Sequence, residues 1–259
     1  MESIAQIREK FKNTPTDDLA ALIHMYETDS RSGVISIVNR ARKSVEALNM
    51  ELERLESMKA YERKYDAYTY ICGIDEAGRG PLAGPVVAGA VILPKDARIL
   101  YVNDSKQLSA AKREALYDEI MDKAVAAAVG IVDCTVIDRI NILQATYEAM
   151  RQAVLKLSVK PDVLLNDAVV IPGIEIPQEK IIKGDAKSVS IAAASILAKV
   201  TRDRMMEAYD EIYPEYGFAK HKGYGTAQHV AAIRKYGPSP IHRMTFIQNM
   251  IDVRETGDF

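Results

Sequence analysis

Along residues 34–55, apolar side chains recur at Val34, Val38, Ala41, Val45, Leu48, Leu52 and Leu55, alternating spacings of four and three over three heptads. Side chains three and four apart share one helical face, so the stripe predicts a helix with a buried seam, in an antiparallel pair or a short coiled coil. Thr16-Asp17-Asp18 ahead of the apolar run 19–25 predicts another helix start. The first 66 residues contain one Gly and one Pro and read as an α-helical appendage of two or three helices. From Tyr68 the period changes. YTYICGI and VVAGAVIL are rich in β-branched residues and bounded by Gly and Pro, as strands are. Ser109 caps a predicted helix AAKREALYDEIMDKAV, and AAVGIV predicts a third strand. Residues 141–157 predict a helix, DVLLN a strand ending at Asp167, and EKIIKG a strand ending just before Asp185. A long helix is predicted from about 189 to 213, with a run of small side chains at 192–195 that suits close packing. Two further helical segments are expected after residue 216. Strands followed by helices place the chain in the α/β class, with a helical appendage at 1–66 and the main domain at 67–259.

Three of these apolar runs deliver acids near their ends: Asp75 with Glu76, then Asp167, then Asp185. Strand ends of an α/β sheet are where ligand sites gather. Four carboxylates suffice to bind two Mg²⁺ or Mn²⁺ ions, hard cations that take oxygen donors, in the arrangement used for phosphoryl displacement. The Gly78-Arg79-Gly80 turn follows the first acids directly. A Gly-flanked turn lets backbone approach a ligand, and a guanidinium suits a phosphate, so ICGIDEAGRGPLAGP points to phosphodiester chemistry. The competing reading is structural: an Asp at a strand end also serves as a turn residue, and Asp185 as a cap for the helix that follows. Other chemistries lack their motifs. There is no phosphate-binding loop of the G-x-x-x-x-G-K-[ST] type, no G-x-S-x-G, and no zinc spacing among His221, His229 and His242.

Composition narrows the setting. Net charge is −2, so a nucleic-acid footprint must be local; residues 180–243 carry 11 Lys/Arg against 6 Asp/Glu, an excess of +5. The appendage, with 11 basic and 12 acidic residues, lacks the charge of a nonspecific DNA anchor and is expected to pack on the main domain or meet a protein partner. Cys72 and Cys134 form no Cys-x-x-Cys pair, no apolar run is long enough for a membrane span, and no signal-peptide core is present. A cytoplasmic protein without membrane contact is expected.

GIDEAGRGPLAGPVVAGAVIL resembles the signature of ribonuclease HII, the type 2 ribonuclease H family. NDSKQLS, INILQAT, LLNDA, KGDAKSVSIAAASILAKVTRDR, YGFAKHKGYGT and HRMTF agree with it in order, from residue 70 to about 250. Ala77 and Arg79 favour HII over the related HIII family, and Asn166 departs from the apolar residue expected before Asp167. The resemblance implies an RNase H-like mixed sheet flanked by helices, with a C-terminal helical segment. It implies a monomeric, Mg²⁺- or Mn²⁺-dependent endonuclease that hydrolyses the RNA strand of RNA–DNA hybrids. It also implies incision 5′ of single ribonucleotides in duplex DNA, leaving 3′-hydroxyl and 5′-phosphate ends. Carried onto this chain, Asp75, Glu76, Asp167 and Asp185 are the catalytic metal ligands. Gly78, Arg79 and Gly80 resemble the turn that reads the ribose 2′-OH, and Tyr224 the tyrosine that stacks on the sugar at the RNA–DNA junction. Asp104, Ser105 and Lys106 resemble a phosphate-contacting turn, joined by Ser195 and Lys199, four apart on one helical face. The resemblance says little about residues 1–66.

Overall fold

The computed structural model describes residues 2–250. The chain divides into two compact units, Met1–Ser57 and Met58–Phe259.

In the first unit, helices α1 (Ile4–Asn13) and α2 (Leu19–Tyr26) pack on the first half of α3 (Ser32–Met58). Ser3 starts α1 with a reciprocal cap: its hydroxyl accepts from the Gln6 amide, and the Gln6 side chain accepts from the Ser3 amide. Ile7, Phe11, Leu19, Val34, Val38 and Ala41 form the shared core. The heptad stripe is therefore one side of a three-helix cluster over its first half, while Leu48 and Leu52 are only half-buried. Thr16–Asp18 is a 3₁₀ turn, and Asp18 makes no side-chain cap for α2.

The second unit begins with α4 (Ala60–Lys64) and is built on five strands: β1 (Ile71–Ala77), β2 (Val86–Ile92), β3 (Ala126–Val132), β4 (Val163–Asp167) and β5 (Gln178–Ile181). Their order is β3-β2-β1-β4-β5. β2 runs antiparallel to β1 and β3, whereas β1, β4 and β5 are mutually parallel, giving the mixed sheet expected. The three parallel strands end on one edge. Ile74 lies opposite Asn166, so Asp75 and Asp167 leave that edge side by side.

Between β2 and β3 lies α5 (Ala110–Lys123), capped by Ser109 as expected; α6 (Cys134–Ile140), capped by Asp133, is an extra helix before α7 (Ile142–Leu155). α7 covers β2 and β3 on one face of the sheet; α8 (Val189–Ile212) covers β1 and β2 on the other. Glycines set how closely these helices approach. A Cβ on Gly73 would stand 2.1 Å from the Ser190 carbonyl carbon, and one on Gly89 2.4 Å from the Ala194 oxygen. On the opposite face, a Cβ on Gly130 would stand 1.8 Å from the Ala149 oxygen. The small residues at 192–195 are the helix side of the same contact. After α8, α9 (Phe218–His221), α10 (Ala227–Tyr236) and α11 (Met244–Ile247) gather around Leu82, Met206, Tyr216, Phe218 and Ile233.

Two local expectations need correction. β5 ends at Ile181; Lys183 then takes a left-handed conformation (φ 57°) and turns the chain into a 3₁₀ turn, Gly184–Ala186, which carries Asp185. Asp185 is not the cap of α8. Ser188 is, accepting from the Ile191 amide at 3.2 Å.

Candidate active site

The four acids arrive by three short routes. Asp75 and Glu76 lie in the last residues of β1, Asp167 ends β4, and Asp185 rides the turn beyond β5. Parallel pairing brings them to one edge, and their charges feel one another. Burial, then Glu76 and Asp167, push the Asp75 carboxyl well above its ordinary range; a hydrogen bond from Ser195 opposes this. Burial also raises Glu76, with Arg79 opposing at 3.3 Å and Asp167 adding to the rise. Asp185 is raised by burial, Asp104 and Asp167. Lys106 shows the same field from the other side. Burial lowers it, but Asp104, Asp75, Asp185 and Asp167 together outweigh that and raise it. Asp167 itself is oriented by the Gly184 amide, which donates to its Oδ1 at 2.7 Å.

Among the described residues, no group of three or more His, Cys, Asp or Glu is assembled to hold a metal ion. The donor set still suits one. All donors are oxygens, Asp75 is 4% exposed, and among the described residues no cation lies in ion-pair contact with it. A buried carboxylate raised by its neighbours is a site where a hard divalent cation would relieve the repulsion.

Beside the acids runs a cleft of about 500 Å³, and most of the expected substrate contacts line it. Gly78, Arg79 and Gly80 line it with Tyr224; Ser105, Lys106, Ser195 and Lys199 line it too, with Glu76 as the one member of the acid set that does so. The Ser105 and Ser195 hydroxyls bond each other at 2.9 Å, tying the 104–106 turn to α8. Lys199 donates to Asp203 at 2.7 Å, yet burial holds its ammonium below the usual lysine range. Tyr224 is 44% exposed, its ring edge 3.8 Å from where a Gly80 Cβ would stand. Asp104 does not line the cleft: its carboxylate caps its own turn, accepting from the Lys106 amide at 2.9 Å.

The site also contains residues that the linear pattern does not reveal. Arg113 donates to the Ser105 and Leu108 carbonyls and so fixes the 104–106 turn from α5. Arg202 and Arg243 are 1% and 0% exposed, and both spend their guanidinium on backbone carbonyls around the Gly78–Gly80 turn. They occur inside stretches already singled out, KVTRDR and HRMTF, but nothing in a string of polar letters says that a guanidinium points inward. Gly78 is fixed by this packing: its φ is +95°, and a Cβ there would stand 2.1 Å from Arg202 Nε. Asn166, the expected apolar position, is fully buried; its Nδ2 donates to Gln178 at 2.8 Å, and Gln178 in turn bonds both backbone groups of Ile171. The pair ties β4 to the loop that leads into β5.

Comparison with known proteins agrees with this architecture. The family model described as Ribonuclease HII matches residues 72–249, and the model of the Ribonuclease HII N-terminal domain matches residues 3–66. The chain is 61% identical over 225 residues to ribonuclease HII of Lachnoclostridium phytofermentans, covering 87% of this chain and 89% of that one. It is 50% identical over 252 residues to ribonuclease HII of Clostridioides difficile, covering 96% and 99%. The solved ribonuclease H2 of Pyrococcus horikoshii OT3 superposes with a TM-score of 0.59 at 31% identity, over 70% of this chain and 96% of that one. The ribonuclease HII of Archaeoglobus fulgidus, solved in complex with PCNA, superposes with a TM-score of 0.60 at 28% identity, over the same shares. Sequence, sheet topology and the acids at its edge converge: the chain belongs to the ribonuclease HII family, a type 2 ribonuclease H and thus an endonucleolytic hydrolase.

Proposed function

We propose that this ribonuclease H cleaves the RNA strand of RNA–DNA hybrids and incises duplex DNA on the 5′ side of a single embedded ribonucleotide. Asp75, Glu76, Asp167 and Asp185 hold two Mg²⁺ or Mn²⁺ ions. The observation that carries this reading is the arrival of four carboxylates at one sheet edge, three of them (Asp75, Glu76 and Asp185) raised above their ordinary range, beside a cleft walled by the Gly78–Gly80 turn and Tyr224. Divalent ions held by these four residues would supply Lewis acidity and a nucleophilic water for phosphodiester hydrolysis, which would leave 3′-hydroxyl and 5′-phosphate ends.

The chain's own groups bind and orient. Lys106 and Lys199 offer cationic donors to the phosphates flanking the scissile bond, with the Ser105 and Ser195 hydroxyls between them. Arg79 balances Glu76 until substrate arrives. The Gly78–Gly80 backbone reads the 2′-OH, which only RNA carries. Tyr224 lays an exposed ring beside Gly80, where the sugar at the junction would stack. The complex of the Archaeoglobus protein with PCNA supports a protein partner for this chain as well.

The test is cleavage of an end-labelled DNA duplex carrying one ribonucleotide, with Mg²⁺, Mn²⁺ or chelator, against an all-DNA control. A metal-dependent cut just 5′ of the ribonucleotide is expected. Cutting of long hybrids alone would move the assignment to an HIII-like specificity. Tyr224→Ala is expected to lower cleavage at the single ribonucleotide about tenfold, in line with the loss of one stacking contact, and to affect long hybrids less. Equal losses on both substrates would remove Tyr224 from junction recognition.

A further inference from the structure

Two arginines lie inside the protein with no carboxylate in ion-pair contact among the described residues. All their described hydrogen bonds go to backbone oxygens. Arg243 Nη2 donates to Gly78 O at 2.5 Å, and Nη1 to Arg79 O at 2.9 Å. Its Nε and Nη2 also reach Gly84 O, at 3.0 and 2.9 Å. Arg202 Nε donates to Pro85 O at 2.9 Å, Nη2 to Ala83 O at 3.1 Å, and Nη1 to Lys222 O at 2.9 Å. A buried guanidinium is costly, and neutral carbonyls compensate it less well than a carboxylate would. Such an arrangement needs a reason beyond stability.

Peptide geometry supplies one. A trans peptide is planar, with its C=O and N–H pointing opposite ways, and no peptide here is cis. The Gly78 carbonyl shares a plane with the Arg79 N–H, and the Arg79 carbonyl with the Gly80 N–H. We propose that Arg243 is a positioning residue for ribose recognition: by drawing the Gly78 and Arg79 carbonyls inward, it aims the Arg79 and Gly80 amide donors outward into the cleft. Among the described residues neither amide donates to a protein acceptor, and both residues are exposed. The inference rests on the assignment of this turn to 2′-OH recognition.

The same frame holds Tyr224. Arg202 ties the carbonyls at 83 and 85 to Lys222 O, two residues before Tyr224. From the far side, the Ser239 amide donates to His242 Nδ1 at 2.8 Å, so in the neutral ring Nε2 carries the hydrogen. His242 Nε2 donates to His229 Nε2 at 3.0 Å, which leaves His229 Nδ1–H to donate to Tyr224 O at 2.9 Å. The tautomers are thus fixed from one end to the other by a backbone donor and a backbone acceptor. The amide pair and the tyrosine are set against one another before substrate binds, and preorganisation of that kind lowers the ordering cost for the one ligand that fits both, here a ribonucleotide.

The experiment measures binding of full-length protein, in chelator, to two fluorescent duplexes that differ only in one 2′-OH. Arg243→Lys keeps the charge but loses the planar fork. It is expected to lower the preference for the ribonucleotide duplex about tenfold, with affinity for the all-DNA duplex within about twofold, the scale of one or two lost hydrogen bonds to an aligned donor pair. A folded variant with unchanged preference, or with equal loss on both duplexes, overturns the proposal. Amide NMR separates this claim from the reading beneath it. If wild-type protein shows no preference, the ribose assignment fails. The Arg79 and Gly80 amide resonances must nonetheless shift in Arg243→Lys if the arginine orients them, and unmoved resonances refute the orienting role. Should Arg243→Lys not fold, wild-type protein decides: the Arg79 and Gly80 amides must respond to the ribonucleotide duplex and not to the DNA one, and failure to do so overturns the proposal.

Discussion

Asp75 carries a conflict within a single side chain. It is almost without solvent, and burial, then Glu76 and Asp167, hold its carboxyl well above the ordinary range. The sign of the linkage follows from the raised carboxyl: the folded state binds more protons than the unfolded one, so this group favours folding at low pH and costs stability as pH rises past the ordinary carboxylate range. Asp75→Asn removes the cost. In chelator it should melt a few degrees above wild type at pH 7, where each kcal/mol is worth about 2–4 °C for a chain of this size. The gap should close near pH 4 and shrink on adding Mg²⁺ to wild type, while cleavage is lost. Scanning calorimetry across pH checks the stability part; a metal-free wild type as stable as the variant at pH 7 would contradict it. Asp75, Glu76 and Asp167 were legible as strand-end acids because each stands in the last residues of an apolar run. The inward course of Arg202 and Arg243 was not, because burial of a guanidinium leaves no periodic trace.

At the scale of the element, α8 was legible almost to the residue, and its small side chains at 192–195 are small for the reason the sequence suggested. Their partners, Gly73 and Gly89, could not be identified before the strands were known to run beneath the helix. A methyl on Gly73 would strike helix backbone at Ser190, which cannot yield as a side-chain tip can. Gly73→Ala is therefore expected to cost about 3 kcal/mol, near the top of the overpacking range, read as a shift in the urea midpoint at unchanged slope. The misplacement of Asp185 has a comparable origin. β5 is only four residues long, and the left-handed position two residues beyond it is Lys183, neither Gly nor Asn, so the residue that turns the chain is not the one a turn signal would pick.

For the whole molecule, two segmentations meet at slightly different places. The compact units divide after Ser57, whereas the N-terminal family model runs to residue 66. The stretch between them holds Glu62, whose carboxylate accepts from the Ser188 hydroxyl at 2.6 Å and the Ser190 amide at 3.0 Å at the start of α8. An acid at a helix N-terminus is stabilising, by about 1 kcal/mol when it also caps. Deleting residues 1–66 should therefore lower the melting temperature at least about 2–4 °C below that of deleting residues 1–57, since it removes Glu62 together with the Lys64 and Tyr65 bonds to Glu179. We expect both truncated proteins to keep metal-dependent cleavage. Equal melting temperatures would deny Glu62 this role, and loss of cleavage in a folded truncated protein would make the appendage part of the catalytic machinery.

Ser195, beside the acids, and Arg202, packed beneath Gly78, lie on one uninterrupted helix seven residues apart. At 1.5 Å per residue that is about 10 Å, and very nearly two full turns. α8 thereby acts as a gauge block between the place where a phosphate would be cut and the place where a sugar would be recognised. Its length and its rotational phase matter together. One residue inserted between them would swing Arg202 about 100° off its carbonyls as well as lengthening the gap. The seven-residue interval is thus a unit of measurement, and a change of its length by one residue should disturb both ends of the cleft at once.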